Sequence, residues 1–580
     1  MQNSSRPLKG REHVIWITEG EKRTDMKADQ ILKNAKIYTA NQDNLFASAF
    51  AVKDGKFVYV GAEEGLKDYE GEVTDLGGKF IMPGIIDSHV HVTFSVGFEY
   101  TDFGLRFECN GKQEALNYMA DYIRKNPGIP RYKFVLEKKF LNGEEIVKED
   151  LDAICPDGEL LLQEEEGHSI WVNSRILERH GITDDTPDPV PGLSYYVRKD
   201  GHVTGNMFEG AAELPIVLDS CMDLTDEQID AAVQRWIDYS VEAGVNCVFD
   251  SGIPGVGDFH ERVYERLRDL DRQGRLPIYI DGCYVISAPW EMEEGLKELK
   301  RFRREYNTEH LKVHTMKVFM DGTQQIHTAA MVTPYADTGT TGNTAFNKEE
   351  LAELLLKLNE EDMDLHLHTV GEAASRVVLD SVELVRKELG DKFHVKVTCA
   401  HLEVQDEADL DRFVELGVIA NYTPWWHCGG ADDPVEPYVA LLGEKRARNV
   451  FRCKTVWDSG ALVTWSSDNI TYEDFACWSP YLGMEIGMTR WITEKTNLPE
   501  YFRGDYSFPP AGEKMNIEEM ILGYTINGAK QLGIEDSKGS IEAGKDADFL
   551  VFEGDLLTAE PEGLSHNMPA EVYFCGKRMK

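Results

Sequence analysis

At 580 residues the chain is longer than one small domain; at roughly 150 residues per unit it reads as three or four domains, or fewer if one is a large barrel. Its 61 basic and 102 acidic residues leave a formal charge of −41, which repels phosphate and argues against nucleic acid or an anionic membrane as partner. Ten cysteines without a C-x-x-C pair suggest neither a disulfide framework nor a cysteine zinc site. Near the start only Val14–Ile17 is apolar, and no apolar run reaches the ~18 residues of a membrane span, so a cytoplasmic protein is expected.

Residues 1–28 carry no clear pattern and are set aside as an N-terminal extension. From 29 to 80 short alternating runs read as strands, with Asp54-Gly55 as a hairpin turn between Ala49–Lys53 and Lys56–Val60. Eight apolar strand-like runs follow, at Ile81–Val92, Val245–Ser251, Pro277–Val285, Met316–Asp321, Leu365–Val370, Val395–His401, Val418–Thr423 and Leu462–Asp468. Helical patterns such as Lys348–Asn359 and Asp406–Leu416 alternate with them, which is the arithmetic of a (β/α)8 barrel. The long gap after the first run predicts an inserted α/β subdomain over 105–225, with the barrel spanning 81–104 and 226–534. Strand patterning returns at Gly539–Phe552 and Ala570–Arg578, so residues 535–580 are expected to complete a small β-sandwich begun by residues 29–80.

Asp87-Ser-His-Val-His91 closes the first run. Side chains alternate along a strand, so His89 and His91 share a face and could grip one metal ion. In a barrel, chemistry sits at the C-terminal strand ends. Metal-competent residues fall at or near that end on several runs: His89 and His91, Lys317, His368, His401 and Asp468. With 16 histidines in the chain, such a coincidence of type and place is improbable.

Pro83–His91, Lys317–Gly322, His366–Ala373, Ala400–Glu403 and Ser467–Asn469 resemble, in order, the motifs of the amidohydrolase superfamily. Gly167–Ser174, Thr525–Lys530 and Gly544–Asp548 extend the resemblance to its YtcJ-type branch, which includes N-substituted formamide deformylases, so that it spans about residues 29–580. The resemblance implies that His89 and His91 bind the more buried of two metals and that His368 and His401 bind the second. It further implies that Lys317 bridges them if carboxylated and that Asp468 touches metal and water. Zinc is the first choice for this donor set, with iron, nickel or manganese also compatible. Without such modification Lys317 would be an ordinary lysine paired with an acid such as Asp321.

Hydrolysis of a C–N bond in a small molecule, with Asp468 as general acid–base, is the chemistry expected. A largely apolar or aromatic substrate is suggested by Trp425, Trp426 and Trp478 near the strand ends, with Phe475 and His427 beside them. His168, Trp171 and Asn173 in the insertion and Gln324 and His327 after the fourth run complete the substrate-binding candidates, with Tyr195, Tyr196 and Glu209 as weaker ones. The chain departs from the branch at His327, where an arginine is usual, at Asn469-Ile470, and at Ala400, where a glutamate often precedes the histidine, so no relative's substrate transfers directly. A metal-dependent decarboxylase or deaminase of the same superfamily, or a non-catalytic barrel used for binding, are the alternatives. A homo-oligomer, as a dimer, is expected.

Overall fold

The computed structural model describes residues 26–580 apart from 101–103, 137–143, 165–166, 220–222, 253–257, 429–434 and 471–478. Its centre is eight parallel strands taken in chain order: β1 (Ile85–Val90), β2 (Val245–Asp250), β3 (Tyr279–Ile286), β4 (Leu311–Phe319), β5 (Asp364–Thr369), β6 (Val397–His401), β7 (Ile419–Tyr422) and β8 (Val463–Trp465). Strands covered on both faces need near-continuous apolar sequence, and every residue of β1, β2 and β6 is buried. Helices such as Lys348–Glu361, which starts on a capping box between Asn347 and Glu350, and Glu372–Leu389 pack outside.

Ladder bonds join each strand to the next from β1 to β8. The remaining seam closes just past the strand ends: Ser467 N–H donates to Asp87 Oδ1 (2.9 Å), Asp468 N–H to the His89 carbonyl (2.9 Å), and His91 N–H to the Asn469 carbonyl (3.0 Å). The barrel expected from the sequence is therefore present.

The first apolar run is two strands rather than one. Phe80–Pro83 lies in an outer sheet between Lys36–Tyr38 and Phe549–Phe552, and the chain crosses into β1 at Gly84. A Cβ at Gly84 would collide with the Asn246 side chain, so only glycine lets the backbone pass so close to β2. That six-stranded outer sheet faces a four-stranded one made of Met26–Lys33, Ala49–Lys53, Lys56–Gly61 and Tyr69–Asp75. Phe50, Phe57, Ile37, Ile81, Phe549 and Val551 fill the space between them, so residues from both ends of the chain build one sandwich core. The predicted hairpin turn is there, with Asp54 and Gly55 both at positive φ (50° and 79°).

Between β1 and β2 the chain makes a six-stranded mixed sheet with its own core, including Phe134, Leu160, Leu162 and Trp171. This insertion sits over the C-terminal end of the barrel, where its residues line one cavity together with the strand ends. Among the described residues no helix is long and apolar enough to cross a membrane.

Lower in the barrel wall, His314 of β4 is wedged between Asp281 of β3 (3.1 Å) and Asp364 of β5 (3.4 Å). The Asp281 charge outweighs burial and raises its pKa to about 10, against ~6.5 in an unfolded chain. The imidazolium thus contributes stability that is fully present below about pH 6.5 and is lost as pH rises through about 10. His314→Leu is expected to cost roughly 3 kcal/mol near pH 6. In denaturant titrations its deficit relative to the parent chain should shrink as pH approaches 10; a deficit independent of pH would contradict this assignment.

Candidate active site

β1 and β8 are neighbours across the seam, so residues at opposite ends of the barrel sequence meet there. His89 Nε2 and His91 Nε2 converge on the same oxygen, Asp468 Oδ1, at 3.2 and 3.3 Å. Among the described residues, these three form the single group of histidine, cysteine or acidic side chains whose ligand atoms lie within 4.8 Å of one another. Lys317, His368 and His401 line the same cavity. The His401 ring centroid is 4.9 Å from that of His89 and 4.5 Å from that of His368. All six predicted metal-site residues are thus gathered at one end of the barrel, with His89, His91 and Asp468 the tightest set.

The hydrogen bonding shows what this set is built to hold. His91 Nδ1 lies 2.8 Å from the Gly252 carbonyl oxygen, which can only accept, so Nδ1 carries the hydrogen. Its other nitrogen, Nε2, faces the Asp468 carboxylate oxygen. His89 Nδ1 is engaged with His366 Nε2 at 2.8 Å, a contact in which either ring can donate, and its Nε2 faces the same Asp468 oxygen. Burial, reinforced by the Lys317 charge, drives the His89 pKa down to about 3, so that ring is neutral. Two ring nitrogens and a carboxylate oxygen turned toward one point are a donor set that a cation can join. Among the described residues, His89 Nε2, Asp468 Oδ1 and His401 Nδ1 are all buried without a hydrogen-bond partner. Unsatisfied donor atoms of this kind are costly in a protein interior, and metal coordination satisfies them. The residues present therefore fit a divalent cation.

Lys317 is fully buried, and Asp321 is not its partner. Both Asp321 oxygens are taken by backbone N–H groups of Val370 (2.9 Å), Gly371 (2.8 Å) and Ala330 (2.9 Å), a clamp that fixes the loops after β4 and β5. The Lys317 ammonium lies 4.9 Å from the Phe319 ring centroid, and burial lowers its pKa to about 8, so an appreciable neutral-amine fraction exists near neutral pH. The His368 pKa falls to about 3 and that of His401 well below its usual range, chiefly through burial.

Backbone strain concentrates at this place. Asp468 (φ 53°) and His401 (φ 80°) are both in the left-handed region, as is Glu209 (φ 67°) on the insertion. Each such conformation costs on the order of 1–3 kcal/mol and persists where the surroundings impose it.

The cavity measures about 540 Å³, a size that suits a small molecule. Of the substrate-binding candidates, His168, Trp425 and Trp426 line it, and Trp426 stacks on His401 (5.1 Å, 14°). His168 is held by the buried Glu209 carboxylate (Nδ1 to Oε2, 2.9 Å), which also accepts the Thr323 N–H and the Thr328 hydroxyl. Gly322 permits this approach, since a Cβ there would collide with the Glu209 carboxylate and the Thr328 hydroxyl. The other candidates lie elsewhere. Trp171 packs in the insertion's own core, because its strand places it on the face that meets the helices of that unit. Asn173 is spent on the Leu160 N–H (3.2 Å) and the Gly158 carbonyl (2.9 Å). His327 turns to Asp337 (2.8 Å), and Gln324 is buried behind the cavity, donating to Glu403. Trp478 and Phe475 lie outside the described residues.

Some residues that matter here were not singled out from the sequence. His366 backs His89, and its signal was available: His366-Leu-His368 repeats the His-x-His spacing of β1. Glu164 and Glu213 line the cavity from the insertion, and no local pattern marks them.

A family model described as "Amidohydrolase family" matches residues 72–579. The chain is 26% identical over 544 residues to the putative amidohydrolase YtcJ of Bacillus subtilis, covering 91% of this chain and 95% of that one. It is 25% identical over 582 residues to an N-substituted formamide deformylase of Arthrobacter pascens, covering 94% and 97%. An uncharacterized metal-dependent hydrolase of Pyrococcus furiosus superposes with a TM-score of 0.61 at 22% identity, covering 91% of this chain and 100% of that one. With a family model matched over most of its length and the fold shared, the chain belongs to the amidohydrolase family.

Proposed function

We propose that this chain is a metal-dependent hydrolase that cleaves a C–N bond other than a peptide bond, in an amide, formamide or cyclic amide of a small, largely apolar or aromatic molecule. The observation that carries the reading is the meeting of His89 Nε2, His91 Nε2 and Asp468 Oδ1 in the floor of the cavity, with Lys317, His368 and His401 around them. The name of the Arthrobacter relative supports the bond type, and the tryptophan walls support the apolar body.

His89, His91 and Asp468 would hold the first cation, zinc being the leading choice, and Lys317 as a carbamate would join it to a second held by His368 and His401. When bound, a divalent ion supplies a Lewis acid that polarises a carbonyl and makes hydroxide available near neutral pH. Carbamate formation needs a neutral amine, which the buried Lys317 provides. Asp468 keeps a low pKa although burial opposes it, because its contacts with His89 and His91 outweigh that burial. It is therefore an ionised base, and its Oδ2 can accept the proton of the attacking water and return it to the departing nitrogen. Trp426, stacked flat on His401, walls that end of the site against solvent.

Elemental analysis of the purified protein with a screen of aryl formamides, amides and hydantoins tests the reading. Asp468→Asn is expected to keep much of the metal and lose about 10²–10⁴ in kcat; near-normal turnover by a metal-replete Asp468→Asn protein would refute the role of this residue. Replacing His366 by Phe removes the group that orients His89 and should weaken metal binding roughly 10–100-fold in chelator competition. Unchanged affinity would show that His366 only fills space.

A further inference from the structure

Among the described residues, three carboxylates, Glu164, Glu209 and Glu213, face the cavity from the insertion side. Two of them are engaged: Glu209 holds His168, and Glu164 Oε2 accepts the Ser169 hydroxyl at 2.7 Å. Glu213 differs. It stands on the helix Gly210–Val217, is only 1% exposed, lines the cavity, and leaves Oε2 without a hydrogen-bond partner among the described residues. A buried carboxyl oxygen with nothing to accept is costly unless a donor or a cation reaches it from the cavity. Burial pushes the Glu213 pKa well above its ordinary range; His168 pulls the other way, and the Glu209 and Glu164 carboxylates add to the rise. An incoming positive charge is what would restore the ionised form.

The surroundings fit one kind of cation. Phe94 and Phe98 line the same cavity, their rings 5.2 Å apart, with Phe94 5.0 Å from His91. Aromatic faces and a carboxylate lining one cavity suit an organic ammonium on an apolar body better than a bare metal ion. Arg106 also lines the cavity, but it is exposed, where water and salt screen its charge.

We propose that the insertion-side wall, with Glu213 as counter-ion, is a subsite for a cationic amine carried on the substrate's apolar body. The proposal rests on the reading of this cavity as the substrate pocket of a hydrolase, and it narrows that substrate to a C–N compound bearing a basic nitrogen away from the scissile bond.

Equilibrium binding of phenethylammonium, 2-phenylethanol and phenylacetate to the full-length, metal-replete protein tests it, with calorimetry as readout and about 0.3 M salt to damp the general acidity of the surface. Phenethylammonium is expected to bind roughly ten-fold more tightly than the alcohol, with phenylacetate weakest. In Glu213→Gln that preference should fall below about two-fold while alcohol binding holds. Glu164→Gln gives a second measure should Glu213→Gln fail to fold, and is expected to reduce the preference about three-fold. Equal affinity for ammonium and alcohol, tighter binding of phenylacetate, or a preference untouched by the substitutions overturns the proposal. Because affinity is read rather than turnover, a protein that prefers the ammonium but hydrolyses no amide keeps the subsite and loses the hydrolase. One that hydrolyses amides without that preference does the reverse.

Discussion

Closure of the barrel between β8 and β1 is the constraint on which the site depends. Backbone bonds from Asp468 to His89 and from His91 to Asn469 make the last strand end a continuation of the ladder, although Ser467 and Asp87, also joined there, are 380 residues apart in sequence. The same bonds that finish the sheet set three ligand atoms against one another. Register is what aligns them: a slip of one residue in β1 would turn His89 and His91 to the helical side and leave Asp468 alone. The clamp of Asp321 on the loops after β4 and β5 plays the corresponding part on the other side, holding the loop backbone after His368 so that its ring stays near that of His401.

The site is held in a state that its own local chemistry disfavours. Asp468 and His401 adopt left-handed backbone, Lys317 is buried with no hydrogen-bond partner among the described residues, and two imidazoles face one carboxylate oxygen. A large core supports these costs, with apolar packing continuous from the helices outside the barrel to the sandwich at the chain ends. Preorganisation of this kind is what charge-stabilising catalysis requires, since groups already in place need not be reordered when charge develops.

Much of this could be read from the sequence because it is periodic. Strands buried on both faces write themselves as short apolar runs, and histidines two apart on a strand must share a face, so the eight barrel strands and the six gathered residues were legible. What escaped depended on relations between distant segments. The first run hid two strands because its break is a single glycine whose need for closeness is set by Asn246, far along the chain. Trp171 and Asn173 look the same in sequence whether they serve a cavity or the insertion's own core and turns; only the facing of their strand decides. Glu164 and Glu213 belong to a wall whose position over the barrel no local pattern encodes. On the proposed reading, the wall that would select the substrate is thus the part least readable from sequence, and the strand ends that would hold a metal are the most readable.

The sandwich assembled from both chain ends has a consequence for synthesis. Strand Phe80–Pro83 leaves the ribosome long before its partner Phe549–Phe552, and Asp468 follows β1 by some 380 residues. At ordinary elongation rates that is a wait of roughly 20 to 80 s during which His89 and His91 have no carboxylate opposite them and an apolar strand edge stands open. Products terminated before Asp468 would carry the histidine pair without the closed seam, so the group of three donors exists only once the chain has been made past that residue.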